Sequence, residues 1–156
     1  MTRTRRTLAC AALAATLALA GCSTTVSLQP AGDAGNPRCA DVMVRLPDAV
    51  STVDRVWTDA QSTASWGTPS AVILSCGVDV PGPSTLTCVT FQGVDWIIKP
   101  EKNDTYRATT FGRTPALQLL IDTKRVDSNA VLNSISTAAS TLTKDAKCTS
   151  SETPSS

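Results

Sequence analysis

Four cysteines, Cys39, Cys76, Cys88 and Cys148, follow an apolar run that ends at another, Cys22. No other feature constrains the fold as much. The run, Leu8 to Ala20, is uncharged and rich in Ala and Leu, and Arg3, Arg5 and Arg6 precede it. It is about the length of a signal-peptide core and short of the ~20 residues of a membrane-spanning helix. A chain that starts this way is expected to be exported, which puts the later cysteines in an oxidising compartment. Cys10 leaves with the signal. The remaining even number implies two disulfides, for which three connectivities exist. We favour Cys39–Cys76 with Cys88–Cys148. Each bridge closes a long loop, worth at most ~4 kcal/mol in the chain-entropy account. A metal site is the competing use of four thiols. The chain has no C-x-x-C pair and no histidine, which argues against zinc and against a redox pair. No cofactor and no metal are expected.

The apolar run stops at Leu19-Ala20-Gly21-Cys22. This resembles the lipobox of bacterial lipoproteins: a Leu, two small residues, then Cys. The resemblance implies that the Cys22 thiol accepts a diacylglycerol and that cleavage leaves Cys22 as the first residue. Thiolate is a good nucleophile and the thioether product is stable. Residues 1–21 are then a signal peptide, and the mature protein sits lipid-anchored on the outer, extracytoplasmic face of the cell membrane. The alternative is an uncleaved anchor that happens to contain a cysteine. Thr4 to Leu8, TRRTL, resembles a twin-arginine export signal and leaves the export route open.

Three of the fourteen basic residues lie in the signal and none of the thirteen acidic ones, so the mature chain carries eleven against thirteen, a net charge of −2. It contains no basic run. Nucleic-acid binding therefore lacks its electrostatic footprint. A polybasic membrane patch is equally missing, so attachment to the membrane falls to the lipid.

Residues 22–35 are small, polar and broken by Pro and Gly, and read as a flexible tether; residues 149–156 read as a disordered tail. Between them residues 36–148 form one globular domain. Asn36 and Pro37 suit the start of a helix whose apolar face is Cys39, Val42, Met43 and Leu46, stopped by Pro47. Ala71 to Val78 reads as a buried strand and Thr85 to Gln92 as an alternating one. Gly93 interrupts, and VDWII continues as a strand or bulged strand. Two further strands flank Thr114-Pro115, and Asp127 or Ser128 caps a final helix. The span Asp48 to Gly67 fits either a short helix or an edge strand. The expected fold class is α+β: a small, mostly antiparallel sheet of four to five strands with an N-terminal and a C-terminal helix packed on it.

The lipobox together with CADVMVRLP, WGTPSAVILSCGV, GVDWI and YRATTFGR is similar to the actinobacterial domain of unknown function 3515 family. These segments span most of residues 36–125. The resemblance implies a signal or anchor, one small domain and no established activity, and adds almost nothing on chemistry.

Lack of histidine removes Ser-His-Asp and Cys-His catalysis. A carboxylate-dependent envelope hydrolase or transferase would draw on Asp95, Asp122 or Asp127. We favour a non-catalytic binding module whose partner is an envelope protein, a wall polymer or a small ligand. Its candidate contact residues are Trp66, Asp95, Arg107 and Arg113. Trp66 precedes Gly67-Thr68-Pro69 and is expected at a loop tip, whereas Trp96 lies in an apolar run and is expected in the core. Asp95 stands beside Trp96, where a turn-forming acid is the plainer explanation. Arg107 and Arg113 suit an anion site or ordinary ion pairs.

Overall fold

The computed structural model describes residues 25–149. The signal peptide, Cys22 and all but the first residue of the expected tail lie outside them.

Helix α1 (Pro37–Met43) starts as its sequence dictates. The Asn36 side chain accepts a hydrogen bond from the Arg38 N–H at 3.0 Å, and Pro37 fills the first turn, where a missing N–H costs nothing. The strands follow in chain order: β1 (Ala49–Val50), β2 (Val53–Val56), β3 (Thr63–Trp66), β4 (Val72–Val78), β5 (Cys88–Phe91), β6 (Val94–Pro100), β7 (Thr105–Phe111), β8 (Arg113–Thr114) and β9 (Ala116–Asp122). Helix α2 (Ser128–Ala139) is capped by Asp127, whose carboxylate accepts from the Ala130 N–H at 2.7 Å. Strand β10 (Thr143–Lys144) closes the order. Eight strands form one sheet in the order β1-β2-β3-β4-β9-β7-β6-β5, and β8 and β10 form a separate ribbon. Every paired neighbour is antiparallel.

This corrects the expected fold class. The protein is mostly β, with an eight-stranded antiparallel sheet, a two-stranded ribbon and only two short helices. It is not a four-to-five-stranded α+β sheet with a helix at each end. The extra strands come from Asp48 to Gly67, which folds into β1, β2 and β3. Their reversals use Ser51 (φ 51°) and Ser62 (φ 55°) in the left-handed region. Glycine or asparagine usually marks such positions, so the serines conceal the turns. A second correction concerns Gly93. Gln92 (φ 49°) and Gly93 (φ 74°) form a two-residue reversal with Phe91 opposite Val94. VDWII is therefore a new strand, β6, not a bulged continuation of β5.

One hydrophobic cluster joins α1, the sheet and α2, with Val42, Trp66, Leu74, Trp96, Leu119 and Ile135 all inside it. Trp66 and Trp96 are both 0% exposed, against the expectation that Trp66 stands at a loop tip. Thr63-Ala64-Ser65-Trp66 alternates along β3, which puts Ala64 and Trp66 on the core face, and the turn begins one residue later at Gly67. Each indole N–H is satisfied: Trp66 donates to the Pro47 carbonyl at 3.1 Å and Trp96 to Ser136 Oγ at 2.8 Å.

The disulfides are Cys39–Cys76, which ties α1 to β4, and Cys88–Cys148, which ties β5 to the C-terminal segment. Beside the first, Gly77 (φ 90°) breaks the register of β4 against β9. A Cβ there would lie 2.3 Å from the Asp33 carbonyl, so only glycine lets the N-terminal segment approach. Asp33 N–H donates to the Gly77 carbonyl at 3.0 Å, and Ser62 Oγ donates to the Ala34 carbonyl at 2.6 Å. The stretch expected to be a free tether is thus held to the domain from Val26 onward.

Trp66→Ala and Trp96→Ala should each lower unfolding stability by about 3–5 kcal/mol, because each empties a fully buried indole site. Urea denaturation of the two variants measures this, and a near-native midpoint for Trp66→Ala would contradict the core position of β3.

Candidate functional site

The residues proposed from sequence as a contact surface do not come together. Trp66 is in the core on β3, while Asp95, Arg107 and Arg113 belong to β6, β7 and β8. Asp95 is buried; its carboxylate accepts from Thr90 Oγ1 at 2.7 Å and from the Cys148 N–H at 3.0 Å, and Lys144 Nζ lies 3.9 Å away. It holds the C-terminal segment against the sheet. Arg113 is buried too, and donates to the carbonyls of Leu142, Ser140 and Gly93. These include carbonyls at the end of α2, where a cation complements the helix dipole. Burial pushes the Arg113 pKa below the ordinary guanidinium value, and the Asp95 charge opposes that shift. Arg107 donates to Glu101 Oε1 at 2.8 Å and to Gln118 Oε1 at 2.9 Å. That contact, with Lys99 beside it, holds the Glu101 carboxyl below its usual range. Of the three, only Arg107 is partly exposed, and its guanidinium is engaged across the sheet surface.

Two adjoining hollows lie at the other end of the sheet, around β2. A groove of about 660 Å³ opens between α1, β2 and β3, and its walls include Ala40, Met43, Asp48, Arg55, Trp57 and Gln61. A second, more open hollow of about 490 Å³ lies alongside, with Asp54, Thr68 and Arg125 in its wall. Arg55, Val56 and Trp57 line both. Trp57 is 77% exposed, in sharp contrast to the other two tryptophans. The Arg55 guanidinium lies 6.0 Å from the centroid of the Trp66 ring, which gives the groove a cationic wall resting on an aromatic face.

The N-terminal segment borders this surface. Val26 N–H donates to the Trp57 carbonyl at 2.8 Å, Asp59 N–H donates to the Val26 carbonyl at 3.2 Å, and Val26 pairs with Thr58 in parallel. Leu28 N–H donates to Asp59 Oδ1 at 2.9 Å. Hydrogen bonds from Leu28 and Ser27 hold the Asp59 carboxyl below its usual range. Sequence reasoning missed Trp57 as a surface residue because the span Asp48 to Gly67 fitted either a short helix or an edge strand, which did not decide its exposure. The readable signal was Val53-Asp54-Arg55-Val56-Trp57: an aromatic at the end of a short polar strand, followed by Thr-Asp.

Among the described residues no group of three or more Cys, Asp and Glu side chains is arranged to hold a metal ion. The groove walls contribute one carboxylate, Asp48, and the hollow beside it one, Asp54. This surface is suited to covering an aromatic ring and pairing a guanidinium.

Residues 6–147 match the family described as protein of unknown function (DUF3515). No curated protein and no solved structure matches the chain.

The lowered pKa of Asp59 gives the N-terminal contact a pH dependence with a definite sign. A carboxyl whose folded-state pKa is depressed stabilises its contact above the unfolded-state value and loses that contribution as pH falls through the folded one. The Leu28 amide proton shift should therefore titrate with a midpoint below the ordinary aspartate value, and Asp59→Ala should abolish the titration. A midpoint at or above the ordinary value would contradict the contact.

Proposed function

The chain belongs to the DUF3515 family, a membership that carries no activity with it, and from that premise we propose a lipid-anchored extracytoplasmic lipoprotein that works by binding, through the surface around Trp57. The anchor half of the reading is supported by Leu19-Ala20-Gly21-Cys22 and the basic, apolar sequence before it. Among the described residues no helix is long and apolar enough to cross a membrane. On this reading the diacylglycerol on Cys22 is the attachment.

The observation that carries the binding half is the exposure of Trp57 between two hollows, 77% against 0% for Trp66 and Trp96. Covering an indole withdraws roughly 150–250 Å² from water. At about 25 cal/mol per Å² that is worth several kcal/mol to a partner that fits. Arg55 beside it adds a fixed cation. The classes of partner remain an envelope protein, a wall polymer or a small ligand. A carboxylate-dependent hydrolase or transferase would need two acids converging in one cavity. Asp95 is tied to Thr90 and Cys148, Asp122 accepts from the Lys124 N–H, and Asp127 caps α2, so these three serve the fold.

Photo-crosslinking in intact cells tests the binding half. A photoreactive residue at position 57 should give an adduct, whereas the same residue at Tyr106, on β7 across three intervening strands, should not. Equal labelling from both positions, or none from 57, rejects the Trp57 surface. Cys22→Ser should release the protein from the membrane fraction; retention there rejects the anchor.

A further inference from the structure

We propose that the surface around Trp57 rests in the headgroup layer of the bilayer, so that its partner is the lipid surface itself. The inference builds on the reading that Cys22 carries lipid.

The argument begins with chain length. Cys22 is four residues ahead of Val26, so the two Cα atoms are at most ~14 Å apart even in a fully extended chain. Val26 is paired beside Thr58 and bonded to the Trp57 carbonyl. Strand spacing of about 5 Å then puts the Trp57 backbone within ~19 Å of Cys22. Nothing downstream gives the anchor more slack: Leu28 is held by Asp59, Asp33 by Gly77 and Ala34 by Ser62. Had residues 22–35 hung free, their reach of ~45 Å would have let any face of the domain turn toward the membrane. The hydrogen bonds of Val26 and Leu28 select one face, and that face bears Trp57.

The chemistry of the face agrees. Tryptophan has an apolar ring and a polar N–H, and settles at the boundary between headgroups and acyl chains. Arg55 and Arg125 lie beside it and can meet phosphates, but Asp48, Asp54 and Asp59 are there as well. With three acids against two bases, no electrostatic attraction to anionic lipid follows. The Cys22 lipid supplies the affinity and Trp57 supplies the orientation. Contact should therefore be nearly independent of anionic lipid content and of salt.

The full-length lipidated protein, reconstituted into phosphatidylcholine vesicles with and without phosphatidylglycerol, tests this. Trp66 and Trp96 are buried, so quenching by lipids brominated near the headgroup reports on Trp57. The expected result is flotation with the vesicles, quenching of similar depth at both lipid compositions and at high salt, and loss of that quenched component in Trp57→Ser, which still floats. If the protein floats while Trp57 stays open to acrylamide and unquenched by brominated lipid, the membrane contact is wrong and the anchor stands. Equal quenching of the wild type and Trp57→Ser also overturns the contact. A protein that fails to float overturns the anchor and the contact together.

Discussion

The Cys39–Cys76 bridge is the constraint on which the rest of the arrangement depends. It joins the first helix to β4, a central strand of the sheet. In the chain-entropy account a bridge over this separation removes ~4 kcal/mol of freedom from the unfolded chain. Its structural effect is local and more specific. Both cysteines are fully buried, so α1 cannot shift along the sheet. Ala40 and Met43 on that helix are thereby fixed opposite β2 and β3, and the groove between them exists because of it. Gly77, next to Cys76, admits the backbone of Asp33 at a distance no side chain would tolerate. One covalent tie and one glycine thus position both the groove wall and the segment leading back to Cys22.

The C-terminal end is secured by a parallel set of contacts. Cys88–Cys148 draws the last described residues onto β5, and Asp95 accepts from the Cys148 N–H. Gly112 (φ 62°) leaves no room for a Cβ beside Ala146. Arg113 donates to the carbonyls of Ser140, which caps α2, of Leu142 beyond it, and of Gly93 in the Gln92-Gly93 turn. These acceptors and the nearby Asp95 charge offset part of the cost of its burial; its Nε stays without a hydrogen-bond partner among the described residues. Asp95 and Arg113 are therefore structural for the same reason that made them conspicuous in the sequence: charged groups between apolar strands are retained where they complete hydrogen bonds that the backbone leaves open.

The surface around Trp57 follows the opposite logic. Trp57 is large, aromatic and left in water at the end of a short strand, next to a segment held by hydrogen bonds rather than by apolar packing. An exposed indole adds little to the core, and on the proposed reading its value lies in what it meets. On the proposed reading that Cys22 carries lipid, the proximity of Val26 to Trp57 would link attachment to orientation. A domain hung from a long loose chain samples all directions, whereas one held within a few residues of an anchor would present a single side.

Local rules in the sequence determined the segments whose ends and faces depend on neighbouring residues. Asn36-Pro37 and Asp127 start helices because their side chains and missing N–H satisfy helix termini whatever the remainder does. VILSCGV and ALQLLID carry enough apolar residues to be strands in any β context. Even the pairing of the cysteines agrees with the simplest choice on sequence order. What only the tertiary structure decided is the number of strands, the burial of Trp66 and the exposure of Trp57. The strands β1 to β3 are two to four residues long and turn on serines with positive φ, so they depend on tertiary neighbours for support. Trp66 is buried because β4 and the Pro47 carbonyl lie next to it, and Trp57 is exposed because the β2 edge ends there. Burial is a property of contacts between residues far apart in the chain, and two tryptophans nine positions apart received opposite fates from those contacts.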